Sequence, residues 1–128
     1  VDPARGVAER LIRAGSDHNT LLVTERCDQH CIMCSQPPKK THVDRWDEFL
    51  KAVLVAPPDK LIGVSGGEPG LFKHELFDFL DAALSQRTDL RFHVLTNAQH
   101  FTDDDTRRLR NPAYSRVAWG IPMYSADA

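Results

Sequence analysis

Short apolar runs alternate along this chain with segments of helical periodicity, and that alternation is what most constrains its fold. Residues Thr20–Thr24, Lys60–Val64, Leu90–Thr96 and Val117–Tyr124 read as strands. Between the first two, Trp46, Phe49, Leu50, Val53 and Leu54 fall at i, i+3, i+4, i+7 and i+8, with Asp44 placed to cap and Pro57-Pro58 to stop. A second helix is predicted over 74–86, with Leu76, Phe77, Leu80, Ala83 and Leu84 on one face. A third starts at a Thr102 cap, carries Asp103, Asp104 and Asp105 in its first turn and Arg107, Arg108 and Arg110 in its last, and stops at Asn111-Pro112. Residues 7–14, followed by Gly15, predict a short leading helix. The order β-α-β-α-β-α-β demands parallel pairing through right-handed crossovers, hence an α/β fold. An open doubly wound sheet and a slice of a (βα) barrel both give this string, and both place function at the carboxyl ends of the strands.

With 128 residues, 41% hydrophobic and 27% charged, the chain suits one globular domain with a modest core. Sixteen basic against eighteen acidic residues leave a net charge of −2, so no nucleic-acid partner is expected. No apolar run approaches the roughly 20 residues that cross a bilayer, so no membrane partner is expected either. The opening Val1-Asp2-Pro3-Ala4-Arg5 lacks the charged-then-apolar pattern of a secretory leader. It also lacks an initiator Met, and a piece of a longer protein is expected.

The chemistry is concentrated after the first strand. Cys27, Cys31 and Cys34 are spaced C-x3-C-x2-C. A disulfide framework would scatter its cysteines, so this cluster points to a reducing, cytoplasmic setting and a metal site. Three thiolates can hold three corners of a [4Fe–4S] cluster, leaving one iron open to a substrate or cofactor. Zinc is the alternative, with His30 or His42 as fourth ligand, and plain buried thiols are a third reading. After the second strand comes Ser65-Gly66-Gly67-Glu68-Pro69-Gly70, read as a loop: an ordinary strand-to-helix turn, or a cradle where glycines admit close approach. Asn97 suits a turn with left-handed backbone. Asp103–Asp105 read as a helix start, not a metal site. His18, His74, His93 and His100 stand isolated in sequence, and Trp119 and Met123 read as core.

The cysteine spacing, together with Gly66-Gly67-Glu68-Pro69 one βα unit later, resembles the radical SAM superfamily. The resemblance covers about residues 19–125. It implies that Cys27, Cys31 and Cys34 ligate a [4Fe–4S] cluster whose open iron takes S-adenosylmethionine. It further implies that Ser65, Gly66, Gly67, Glu68 and Pro69 receive the methionyl ammonium and that Met33 lies near the adenine. Asn97, in Thr96-Asn97-Ala98, is similar to a Thr-Asn-Gly-like turn of relatives. Tyr124 and Ser125 fall where relatives contact ribose or the methionyl carboxylate. The implied activity is reductive cleavage of S-adenosylmethionine to a 5′-deoxyadenosyl radical, fed by an external one-electron donor. Cys34-Ser35-Gln36-Pro37-Pro38-Lys39 and Trp119–Ser125 are similar to the His-Xaa-Ser system maturases, which implies a peptide or small-protein substrate.

Cores of that type are partial barrels of six βα units, roughly 200 residues by the size of barrel folds. The expectation is therefore a leading helix and linker over 1–18, then the first part of a radical SAM core over 19–128: about four parallel strands and three helices. Strand 117–124 would end the sheet as an unpaired edge, which favours self-association.

Overall fold

The computed structural model describes residues 4, 6, 8, 10–36, 38–40 and 45–123. Its elements run in the predicted order: β1 (Asn19–Thr24), α1 (Trp46–Leu54), β2 (Leu61–Gly66), α2 (Lys73–Gln86), β3 (Arg91–Leu95), α3 (Asp103–Arg108) and β4 (Val117–Gly120). The four strands form one sheet in the order β1-β2-β3-β4, every pair parallel. Sequential order means that each crossover steps the same way, so the helices gather on one face. That choice resolves the ambiguity of the sequence: the sheet is a slice of a (βα) barrel, because a doubly wound sheet reverses its strand order at a switch point.

The two sheet faces differ sharply. Leu21, Val23, Ile62, Val64, Phe92, Val94 and Val117 point to the helical side and are buried with Phe49 and Val53 of α1 and Leu76, Phe77, Leu80 and Leu84 of α2. Full burial of one such side chain stabilises the fold by about 1.5–3 kcal/mol. On the opposite face Thr20, Gly63, His93 and Ala118 are in register across the sheet, and Leu22, Ser65, Leu95 and Gly120 form the next row. Leu22 and Leu95 are 51% and 44% exposed, so this inner face is open.

Two arginines tie off the helix C-termini at the amino edge of the sheet. Arg87 Nη1 donates to the carbonyls of Val53, Leu54 and Ala56 at 2.9, 3.0 and 2.9 Å, while its other nitrogens clasp Asp89. Arg116 reaches Leu84 O at 2.7 Å and Arg87 O at 2.8 Å. These bonds satisfy last-turn carbonyls that have no partner within the helix.

Several expectations are corrected. The described residues of the leading helix, 8 and 10–14, are not helical. Asn19 takes its backbone groups instead: Oδ1 accepts from Arg13 N at 2.7 Å, and Nδ2 donates to the carbonyls of Arg13 and Ser16. A segment of that length nucleates a helix poorly, and Leu11 and Ile12 pack on the core as an irregular strap. The segment Ser65–Gly70 is not all loop. Ser65 and Gly66 extend β2, and Pro69–Phe72 form a 3-10 turn capped by the Glu68 side chain. Helix α3 ends at Arg108, before the predicted stop at Asn111-Pro112, so Arg110 lies beyond its last turn. Asn111 instead caps a 3-10 turn over Pro112–Arg116, its Oδ1 accepting from Ala113 N. Strand β4 stops at Gly120, short of Pro122, which lacks an N–H to pair. Met123, expected in the core, is 80% exposed, whereas Trp119 does pack against the core. The Asp44 cap, His42 and Tyr124–Ser125 lie outside the described residues.

Candidate functional site

The carboxyl ends of β1, β2 and β3 converge through backbone hydrogen bonds. Gly67 N donates to Thr24 O and Glu68 N to Arg26 O, both at 2.8 Å. The glycine loop and the start of the cysteine loop are thus strapped together. The glycines are needed for this approach. A Cβ on Gly66 would lie 2.1 Å from Thr24 O, and Gly66 also has φ +141°, a conformation other residues avoid. A Cβ on Gly67 would lie 2.1 Å from Arg26 O.

Glu68 carries the second junction. Its side chain is buried, 2% exposed, and accepts three hydrogen bonds. Gly70 N donates to Oε1 at 2.6 Å, the Thr96 hydroxyl donates to the same oxygen, and Asn97 N donates to Oε2 at 2.6 Å. A buried carboxylate is tolerable only when its oxygens are satisfied in this way. The carboxylate therefore binds the loop after β2 to the loop after β3.

The cysteine loop closes at its base, where Lys39 N donates to Glu25 O at 3.0 Å and the two side chains form an ion pair. Cys27 is half-buried; Cys31 and Cys34 are exposed, and all three are free thiols. Gln29 N donates to Cys27 Sγ at 3.4 Å. Cys31 and Cys34 bracket a tight turn, with Cys34 N donating to Cys31 O at 3.0 Å and Cys34 Sγ donating to Gln36 O. Ile32 and Met33 at its tip are exposed, Met33 by 72%. Among the described residues no three His, Cys, Asp or Glu side chains stand close enough together to hold a metal ion. The loop thus carries the thiols on one rim without drawing them together, and His30 does not complete a set with them.

Beyond β3, Ala98 adopts φ +59°, and Thr96 Oγ1 accepts from its N–H at 3.0 Å. This left-handed residue turns the next two side chains toward the cysteine loop. His100 Nε2 lies 2.8 Å from Asp28 Oδ2, Gln29 Nε2 donates to Gln99 Oε1 at 2.9 Å, and Asn97 Nδ2 reaches Asp28 Oδ1 at 3.4 Å. His100, isolated in sequence, is therefore paired in space. Lys73, at the start of α2, supports the same loop by donating to His100 O and Asp105 Oδ2. Burial would push the Asp105 carboxyl up, but bonds from Lys73 and Thr102 hold it at about 2. Thr102 and Asp105 form a reciprocal cap, so the acidic run is a helix start, as read from the sequence.

The structure thus brings Cys27, Gly66, Gly67, Glu68 and Asn97 into one hydrogen-bonded rim, with Cys31, Met33 and Cys34 on the adjoining turn. Sequence reasoning placed Thr96 only in the Thr96-Asn97-Ala98 turn, read His100 as isolated, and missed Asp28, Gln29 and Gln99. Of these only Thr96, beside the end of β3, carried a signal, since the polar loop partners lie 70 and 72 residues apart in the chain. A hollow of about 470 Å³ lies elsewhere, between α1 and α2, lined by Arg45, Leu50, Glu75 and Phe79 among others.

A family model described as the radical SAM superfamily matches residues 21–126. No curated protein and no solved structure matches the chain. The chain belongs to the radical SAM superfamily, whose members generally use a [4Fe–4S] cluster and S-adenosylmethionine. The donor set fits such a cluster in chemistry: three free thiols share one loop at the carboxyl rim, strapped to the glycine loop. Among the described residues no helix is long and apolar enough to cross a membrane.

Proposed function

We propose that this chain carries the cluster loop and the methionine-binding rim of a radical SAM enzyme acting on a peptide or small protein. Cys27, Cys31 and Cys34 would hold three corners of a [4Fe–4S] cluster, leaving one iron for S-adenosylmethionine. When bound and reduced, that pair supplies a 5′-deoxyadenosyl radical for hydrogen-atom abstraction. Ser65, Gly66, Gly67, Glu68 and Pro69 would receive the methionyl ammonium, with the Glu68 carboxylate also bracing the loop, and Asn97, Met33 and Ser125 would line the remainder of the site. An external one-electron donor and a cytoplasmic setting follow from the same chemistry. No nucleic acid or membrane is needed as a partner. The unpaired edge of β4 favours self-association.

The observation that carries the reading is the pair of 2.8 Å bonds between the glycine loop and the cysteine loop. Two loops distant in sequence form one rim at the end of the sheet where barrel enzymes work. Peptide modification rests on the likeness of Cys34–Lys39 and Trp119–Ser125 to the His-Xaa-Ser maturases.

Anoxic reconstitution tests the reading. About four irons per chain and a broad absorption near ~400 nm are expected for a thiolate-bound cluster. Changing any of the three cysteines to Ala abolishes both. Stoichiometric zinc with no uptake of iron would overturn it.

A further inference from the structure

We infer that His100 and Asp28 form a latch that positions Cys27, making His100 a positioning residue for the first cluster ligand. The inference rests on the reading of Cys27 as a ligand. Cys27 lies between two pinned neighbours. On one side the Arg26 carbonyl accepts from Glu68 N at 2.8 Å. On the other, Asp28 Oδ2 meets His100 Nε2 at 2.8 Å and Oδ1 meets Asn97 Nδ2 at 3.4 Å. The imidazole donates in this contact in the tautomer that carries its proton on Nε2. Gln29–Gln99 adds a parallel bond.

Both fastenings lead back to Glu68. Its backbone N–H holds Arg26, and its carboxylate holds the amide of Asn97, the residue that reaches Asp28. Three of the four residues from Arg26 to Gln29 are therefore tied to other loops, whereas Cys31 and Cys34 are exposed on a turn. Cys27 is the fixed thiol of the three. The geometry is held at a cost: Ala98 stays in the left-handed region at φ +59°, where an alanine is disfavoured, and this turn presents Gln99 and His100 to the cysteine loop.

The test compares His100→Ala with His100→Gln, because the glutamine amide can replace the Nε2 donor while both variants remove the imidazole. In the whole chain with Cys31→Ser and Cys34→Ser, Cys27 is the sole thiol, and its alkylation by iodoacetamide is followed by mass spectrometry. His100→Ala should speed labelling about tenfold, the effect expected when a hydrogen bond to a charged group is lost, and His100→Gln should restore the slow rate. His100 lies at the surface, and matched thermal melting curves establish that global folding is retained. Asp28→Ala gives a second route to the same opened loop. In the three-cysteine chain reconstituted without oxygen, His100→Ala should bleach the absorption near ~400 nm faster in air than His100→Gln. Equal labelling rates in all variants would overturn the latch, whatever the iron content. A labelling response in a chain that takes up no iron would instead uphold the latch and overturn the cluster reading.

Discussion

The Oε2 atom of Glu68 accepts the backbone N–H of Asn97 at 2.6 Å, joining the loop after β2 to the loop after β3 through one buried carboxylate. The same side chain accepts from Gly70 N and the Thr96 hydroxyl, so all its bonds run to the protein itself. Its first role in the folded chain is to brace the rim, and substitutions at Glu68 act on that brace before they act on any ligand.

Glu68→Gln should destabilise the fold. One amide oxygen can still serve Gly70 and Thr96, but the new NH2 group then confronts the Asn97 N–H, donor against donor. The expected loss is about 1–3 kcal/mol in urea unfolding, with faster amide hydrogen exchange at Asn97. An unchanged exchange rate at Asn97 would show that the brace does not hold the amide in solution.

Gly67→Ala and Gly63→Ala form a matched pair. The first places a methyl 2.1 Å from the Arg26 carbonyl oxygen, which is backbone; the second meets the Thr20 hydroxyl at 2.8 Å, a side chain that can rotate. Gly67→Ala should cost about 1–3 kcal/mol and loosen the cysteine loop, and Gly63→Ala clearly less. Thermal melts of the two variants side by side check the order.

Ala98→Gly should stabilise the chain by about 0.5–1 kcal/mol, because glycine accepts φ +59° without the steric cost that alanine bears. A lower melting temperature in this variant would contradict the strain.

Acid sensitivity should be traceable to Asp105. Its carboxyl sits at about 2, against an ordinary value of 3.8, after the bonds from Lys73 and Thr102 outweigh its burial. A depressed folded pKa gives stability that is complete above the ordinary value and is lost as pH falls through the folded one. Unfolding free energy should drop between about pH 4 and pH 2, and Asp105→Asn should flatten part of that slope. Asp89, held low at about 2 by its hydrogen bond to Arg87, supplies another part. Urea titrations at several acid pH values compare the two slopes.

Much of the fold was legible because each helix carries its own period. Trp46, Phe49 and Val53 of α1 are buried as their spacing predicts, and Thr102 caps α3. The strand order was not legible, since local patterns carry no information about which neighbour a strand chooses. The leading helix misled: Val7, Ala8, Leu11 and Ile12 have helical spacing, but the Asn19 side chain competes for backbone groups of that segment. At the rim, the cysteines and the glycine pair were visible as motifs. The Asp28–His100 contact was not, because ordinary polar residues in separate loops become partners only after the sheet has set their distance.

The closeness of Gly66 and Gly67 to the carbonyls of Thr24 and Arg26 changes how mutational data on this motif should be understood. Any larger residue there collides with the peptide backbone that leads into Cys27, whatever molecule occupies the rim. Two sequence signatures that look like separate recognition elements are mechanically a single hinge-free joint, and a defect in one would be felt as a defect in the other.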